Sequence, residues 1–538
     1  MHQSSKVRST ESKAGNATLW RPLRTPIFRS LFIADLLSDI GTFMQGVGAA
    51  WLMVSLGASP ALVALTQTAS SLPFFVFALP AGAIGDIVDR RKLILYTECW
   101  MVGVAFVLVM ATFNGFMSPT LLLALTFALS AGDAIETPTW RALLPELVGK
   151  ADLAAASALN GIEFNFARAV GPALAGALIA AAGVGAAFIV NVISFIGVIV
   201  AVARWNRPAR TRTVPLETVS GATTAAVRYV RYSPQLRFVM LRGGVTMFAA
   251  SAVLALLPSV ARTMSGQPIV YGTLLGCFGF GAVVGALAMQ PARRRWHLET
   301  VASGAVVILG ATIMACGAIR GILWFGVAML VAGAGWLVFI SLISALVQAL
   351  APDWARARVL AVFILIFQGG LAAGSAVWGV VATRTGFATA FVVAGLSTIA
   401  TVALSAFGRL PDATADTTPW NHWHLPDIVH DAASALEHGP VLVSVRYRVR
   451  SHHDQAFVRA IEDLGRIRRR DGASWWNVFR DLEHADVFIE TFLVTSWAEH
   501  VRQHERFTRG DRRVEEQIRL HVEDDPVVEH FIQAEVNS

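Results

Sequence analysis

Apolar residues run in long stretches from residue 27 to about residue 408, broken only by Gly, Pro and short charged clusters, and the pattern then stops. A hydrocarbon core of about 30 Å takes roughly 20 helical residues to cross. The runs therefore predict membrane helices near 27–56, 61–88, 93–113, 119–140, 153–182 and 185–203. A second set follows near 237–261, 269–290, 299–319, 322–348, 358–382 and 386–408, twelve in all. Beyond a linker rich in Pro, Asp, Thr and His, Val441, Val443, Val445, Tyr447 and Val449 alternate as one face of a strand. Helical spacing over 454–470, strands over 475–482 and 487–494, a helix over 498–521 and a short strand over 527–532 complete a β-α-β-β-α-β order. That order predicts a small ferredoxin-like α+β soluble domain. The expected divisions are a tail over 1–26, a six-helix bundle over 27–203 and a connecting loop over 204–236. A second bundle over 237–408, a linker over 409–440 and the soluble domain over 441–538 follow.

Composition supports the membrane reading. The 538 residues are 55% hydrophobic and 15% charged, with a mean hydropathy of +0.56, whereas water-soluble domains run near a quarter charged. The net charge of +7 does not point to nucleic acid, because the basic residues lie in short clusters between apolar runs. These clusters fall in alternate loops, at Arg90 to Lys92, Arg141 and Lys150, 204–231, Arg293 to Arg295, and Arg356 and Arg358. Positive charge is retained on the cytoplasmic side, so both termini are expected in the cytoplasm of a multi-pass protein of the cell (inner) membrane. The polar, basic stretch before Pro26 has no apolar run of its own and predicts no cleavable signal peptide. Cys99, Cys277 and Cys316 lie in or beside apolar runs without a metal or disulfide spacing, and read as small helix-packing residues.

An internal repeat divides the helices into two halves. Sliding the chain by 203 positions places Gly82 on Gly285, Arg90 to Lys92 on Arg293 to Arg295, and Gly171 to Gly176 on Gly374 to Gly379.

Several stretches carry a family resemblance. Gly82, Asp86, Arg90 and Arg91 resemble the loop 2–3 signature of the major facilitator superfamily, with departures at Ile87 and Asp89. Arg168 to Gly176, with Gly171, Pro172 and Gly176, resembles the Gly-Pro motif of exporters in that superfamily, with Ala167 and Ala175 where the fullest form has Gly. Phe28 to Phe32, Gly41 to Gln45, Trp51 and the run Glu490 to Val494 with Ser496 to Arg506 extend the likeness over nearly the whole chain. The chain is thus similar to the enterobactin-exporter-like, or transmembrane secretion effector, branch, with a C-terminal domain similar to the antibiotic-biosynthesis-monooxygenase fold. The resemblance implies two pseudo-symmetric six-helix halves working by alternating access, a gating contact at Asp86, and an export role. Pro172 is expected to bend helix five.

Ionisable residues at membrane depth are costly and point to function. Asp35 and Asp39 lie four apart on helix one, with Asp39 roughly 18 Å from Ile27, near mid-membrane. Asp133 and Glu136 fall in helix four, and Glu163 and Arg168 in helix five, near Asn160 and Asn165. A carboxylate without a cationic neighbour in low dielectric can hold a proton near neutral pH, and Asp39 beside Arg168 is the expected proton-responsive pair, with Asp35 second. A buried structural ion pair is the alternative for each. His500 and His504 have a metal-compatible spacing, but the absence of a third ligand at a diagnostic interval makes a solvated helix face with Glu499, Arg502 and Glu505 the expectation. Trp475, Trp476, Phe479 and Trp497 are expected as core or dimer-face aromatics.

The resemblance implies export of an amphipathic siderophore- or drug-like small molecule, and the ionisable residues at membrane depth predict that protons drive it by antiport. Its partners are the substrate, protons, the bilayer and a second copy joined through the C-terminal domain. No cofactor, metal or catalytic residue is expected, since the chain shows no nucleophile–base set and no cofactor loop. A membrane-anchored enzyme or regulator acting through the C-terminal domain, and an importer of the same superfamily, remain the rival readings.

Overall fold

A computed structural model describes residues 19–87, 89–205, 219–352, 354–411, 416, 418, 420 and 439–533, without the side chains at 78–87, 150, 219–223 and 357. The chain forms two compact units: residues 1–213, 242–342 and 364–409, and residues 214–241, 343–363 and 410–538.

The first unit is helical. Its first half contains α1 (Pro26–Ser55), α2 (Pro60–Ile87), α3 (Arg90–Phe113), α4 (Pro119–Leu147), α5 (Leu153–Ala182) and α6 (Val184–Ala203). The other half is carried by α8 (Pro234–Ala250), α9 (Ala252–Ser265), α10 (Pro268–Arg295), α11 (Leu298–Cys316), α12 (Ile322–Leu350), α13 (Arg356–Thr385) and α14 (Phe387–Ala400), the last continued by a 3-10 turn to Ala406, with residues 234–241, 343–350 and 356–363 of these helices counted in the second unit. Among the described residues eleven spans are long and apolar enough to cross a membrane, α8 and α9 counting as one. The 30-residue α1, which carries Arg29, Asp35 and Asp39, supplies the twelfth by length.

The repeat survives in the element boundaries. Shifted by 203 positions, α4, α5 and α6 coincide at both ends with α12, α13 and the run from Phe387 to Ala406. It survives in the contacts as well. A Cβ added to Gly171 would lie 2.8 Å from the Cβ of Phe43 on α1, and one added to its repeat partner Gly374 would strike the Phe248 carbonyl on α8. A Cβ on Gly176 would lie 3.0 Å from the Cα of Gly272 on α10, and one on Gly379 would lie 3.0 Å from the Cα of Ala61 on α2. In each half the first glycine admits the half's own opening helix, and the second admits a helix of the other half.

The expected single helix over 237–261 is interrupted at Ser251, where α8 ends and α9 begins. The Phe248 carbonyl at this break accepts from Trp378 Nε1 at 3.0 Å and Ser251 Oγ at 2.9 Å, as a carbonyl freed from the helix ladder inside a membrane requires. α4 runs seven residues past the expected end at 140, through Pro138 and Pro145.

The second unit contains α7 (Val219–Tyr232), where the sequence reading expected only a connecting loop. Ala225, Ala226, Tyr229 and Val230 form its buried stripe, which is why a segment read only for its arginines is helical. The soluble domain consists of β1 (Val441–Arg448), α15 (Asp454–Asp471), β2 (Trp475–Arg480), β3 (Val487–Val494), α16 (Trp497–Arg506), α17 (Arg509–Arg519) and β4 (Val527–Ile532). The strands form one antiparallel sheet in the order β2-β3-β1-β4, the ferredoxin-like arrangement. The expected helix over 498–521 is two helices, because the Thr508 hydroxyl and the Asp511 carboxylate form a reciprocal capping box that starts α17 anew.

Val441, Val443, Val445 and Tyr447 face a core with Phe457, Ile461, Phe492 and Val494. The other face is open: Trp475, Leu493, Leu442 and Phe531 form one row across all four strands, and Phe479, Ile489, Arg446 and Val527 another. Glu499 joins α7 to the domain, accepting from Arg228 at 3.0 Å and Arg506 at 2.6 Å. The Arg506 guanidinium also lies 4.8 Å from the ring of Trp354, and that of Arg470 lies 5.2 Å from Tyr229.

Candidate functional site

A cavity of about 420 Å³ lies within the first unit, with walls from both halves. The first half contributes Asp35, Asp39, Glu98, Asp133, Glu136 and Arg168, together with Gln45 and Asn191. Phe278 on α10, Trp336 on α12 and Gln368 on α13 close the other side. Most of its ionisable side chains therefore belong to one half, while the opposing wall is mainly apolar, with the rings of Tyr271, Phe278, Trp336 and Phe367 among its residues.

Helical spacing explains this convergence. Asp35 and Asp39 stand one turn apart on α1, as Asp133 and Glu136 do on α4. Trp140 Nε1 donates to Asp35 at 2.7 Å, Thr137 Oγ1 to Asp133 at 3.0 Å, and Thr97 Oγ1 to Glu136 at 2.6 Å. Asn191 Nδ2 on α6 donates to Gln45 on α1. Arg168 acts on Asp39 through its charge, while its guanidinium lies 4.9 Å from the ring of Phe164 and 5.9 Å from that of Phe43. Glu163 is buried beside Asp39 and does not line the cavity. Asn165 bonds its own helix at the Gly161 carbonyl and is half-buried.

Glu98 is the member that sequence reasoning missed. It stands in the apolar run 93–113, faces Glu136, and is 2% exposed. Its Oε2 has no hydrogen-bond partner. Its signal was plain, an ionisable residue about two turns from the start of a membrane helix.

Gly82 and Asp86 lie among side chains outside the described residues. Of the same signature, Arg90 donates to Glu146 at 2.7 Å and to the Ala142 carbonyl, and Arg91 to the carbonyls of Val202 and Ala203. The two arginines thus tie the start of α3 to the ends of α4 and α6. Asp89, a departure from the family pattern, caps α3 by accepting from the Lys92 N–H. Pro172 stands inside a continuous α5, and Gly279 of α10 packs where the Arg168 carbonyl lies. Cys99 is exposed rather than packed, while Cys316 is buried.

In the soluble domain the expected solvated face of α16 is only partly so: Glu505 is exposed and Arg502 half-buried, but Glu499 and His500 are buried. His500 is 1% exposed, and its Nε2 lies 3.0 Å from His530 Nε2 and 3.1 Å from His504 Nε2. His530 comes from β4, thirty residues on, so no local spacing announces it. Glu499 is buried too, with burial opposed by the hydrogen bonds and charge of Arg506, which hold its carboxyl below the usual range. Trp476 donates to the buried Glu490, whereas Trp475 and Phe479 lie on the open sheet face.

Comparison with known proteins agrees with this architecture. The enterobactin exporter EntS of Citrobacter koseri is 27% identical over 270 residues, 49% of this chain and 62% of that protein. The staphyloferrin A transporter of Staphylococcus aureus is 20% identical over 388 residues, 68% of this chain and 92% of that protein. The chain thus spans under two thirds of the length of the enterobactin exporters it matches. Among solved structures, a bacterial homologue of the iron transporter ferroportin in an inward-facing state superposes with a TM-score of 0.56 at 15% identity, over 71% of this chain and 98% of that one. A bacterial homologue of the lysosomal transporter Spinster gives 0.55 at 14% identity, over 72% and 95%. Residues 17–538 match the transmembrane secretion effector family from before the first membrane helix through the soluble domain, and the chain belongs to that family.

Proposed function

We propose that the chain is a secondary active transporter that exports an amphipathic small molecule, siderophore- or drug-like, across the cell (inner) membrane in exchange for protons. The observation that carries this reading is the carboxylate-lined cavity between two pseudo-symmetric halves. Relatives support the substrate class: two of them are named as an enterobactin exporter and a staphyloferrin A transporter.

Both termini are proposed to be cytoplasmic, from the alternation of basic loops. The described approaches between the halves include Arg262 donating to the Val54 carbonyl, Thr383 Oγ1 accepting from the Ala61 N–H, and Gly176 against Gly272. All three lie toward the end opposite the basic loops, which supports a state closed on the outside. Rocking the halves apart there and together at the basic end would complete alternating access. The open sheet face of the soluble domain is proposed to pair two copies of the chain. Its two mainly apolar rows flank a polar one of Asn477, Thr491, Ser444 and Glu529, a pattern that complements itself across a two-fold axis.

Coupling is assigned to Asp39, with Asp35 second. In proteoliposomes loaded with whichever compound accumulates in cells lacking the protein, Asp39→Asn is expected to abolish transport driven by a pH gradient while leaving substrate exchange measurable. An unchanged response to the gradient would make Asp39 structural.

A further inference from the structure

We infer that the soluble domain acts on transport as an internal clamp: Arg506 of α16, seated on Trp354, holds the turn between α12 and α13 and with it the start of a helix that lines the cavity. The effect on transport rests on the reading of the cavity as the substrate path, whereas the clamp itself does not.

The turn is gripped from two sides by residues of one compact unit. From α7, the Tyr229 hydroxyl donates to the Leu350 carbonyl at 3.3 Å, and its ring meets that of Trp354 edge-on at 5.7 Å. From α16 comes the Arg506 guanidinium, 4.8 Å from the Trp354 ring and only 5% exposed. The Glu499 carboxylate and the Asp471 carbonyl aim it there, both accepting from its Nη1 at 2.6 Å. A cation over an aromatic ring is held more firmly where water is excluded. Trp354 Nε1, in contrast, is buried with no hydrogen-bond partner among the described residues. Leaving that donor unmet costs free energy which the indole regains on turning out to water, so the contact is one that can open.

The first half shows what the clamp replaces. Shifted by 203 positions, the turn Arg21–Arg24 falls within α7, Leu147 falls on Leu350 and Asp152 on Ala355. Leu23 and Leu147 pack against one buried cluster, and Arg21 Nε lies 3.3 Å from Asp152 Oδ1. The segment before α1 thus meets the turn between α4 and α5 with its own charge. In the second half Ala355 offers no carboxylate, and the cation arrives instead from the soluble domain, on the neighbouring Trp354. Beyond the turn, α13 is one helix from Arg356 to Thr385, and Phe367 and Gln368 on the cavity wall stand about 16 Å along it. A rigid helix carries a shift at its first turn to those side chains.

Hydrogen exchange read by mass spectrometry on the full chain in lipid nanodiscs tests the clamp. Trp354→Leu and Arg506→Gln are each expected to raise exchange over residues 350–356 by at least about fivefold. The double variant should exceed the larger single effect by little, as two residues acting through one contact require. Arg502→Gln, which removes another partner of Glu499 on the same helix, should leave residues 350–356 unchanged. Uptake by proteoliposomes is expected to fall at least about threefold in Trp354→Leu. Additive effects in the double variant, unchanged exchange in a monodisperse Arg506→Gln protein, or a loosened turn with unchanged uptake would each overturn the inference. If both variants fail to fold, low concentrations of urea on the unaltered chain decide: residues 350–356 and α16 are expected to lose protection together, and separate openings would sink the clamp. An unaltered chain that transports nothing would refute the transport reading and leave the exchange result standing.

Discussion

His500 is held neutral by its surroundings. Burial first, then the neighbouring His504 and His530, push its pKa down to about 3, and burial followed by Arg468 pushes His504 down to about 4. Both fall below the value of about 6.5 for the unfolded chain, so over this range the unfolded state binds more protons. The contribution to stability is therefore complete above about pH 6.5 and is lost as the pH falls toward 4 and then 3. Hydrogen exchange on the full chain is expected to show α16 losing a few kcal/mol of protection between pH 7 and pH 4.5, and His500→Gln should flatten that dependence. Protection that does not change with pH would mean that the three imidazoles are already charged or solvated. The pairing of His500 and His504 was legible from their spacing, but the burial was not, because the third ring arrives from the last strand and closes over them only in the folded sheet. In the membrane the order was reversed. Asp35, Asp39, Asp133 and Glu136 announced themselves as charges in apolar runs, and each lines the cavity. Glu98 sent the same signal and was overlooked.

Two glycines set the distance between helices α5 and α10. A Cβ on Gly272 would lie 2.5 Å from the Pro172 carbonyl oxygen and 2.8 Å from the Cα of Gly176, backbone atoms that cannot rotate away. Gly272→Leu is expected to cost about 1–3 kcal/mol in the arrangement described and to slow transport by about tenfold. Gly304→Leu, where a Cβ meets nothing within 4 Å, should leave both nearly unchanged. Thermal unfolding and uptake by proteoliposomes check the pair, and equal behaviour of the two variants would remove the crossing from the mechanism. At this scale sequence periodicity located the eleven apolar spans of the described residues and α1 beside them, and the 203-residue offset foretold the matching of α5 with α13. It did not locate the interruption at Ser251, because no Pro or Gly marks it and the indole of Trp378, which satisfies the carbonyl freed there, lies more than a hundred residues away. The start of α17 was readable from Thr508 and Asp511, but the helical spacing on either side masked the cap.

For the whole molecule, the open sheet face predicts the state of assembly. Trp475→Glu combined with Phe531→Glu should shift the chain in lipid nanodiscs from dimer to monomer by native mass spectrometry, leaving the domain folded because both side chains lie outside its core. A monomer before substitution would sink the pairing. The two six-helix halves and the α+β order of the domain were legible in the chain, since both follow from periodicity. The companionship of α7 with the domain was not, since it depends on Arg228 and Glu499 meeting across 271 positions. A 14-residue helix on its own is marginal in water, and α7 packs along α15 with its buried stripe between them and Trp354. Since α15 begins more than 200 residues after α7 ends, a ribosome adding about 5–20 residues per second delivers the cover roughly ten to forty seconds after the connector. The second set of membrane helices is thus threaded while the segment joining it to the first is still unformed, and the last part of the chain to be made is the part that completes the middle.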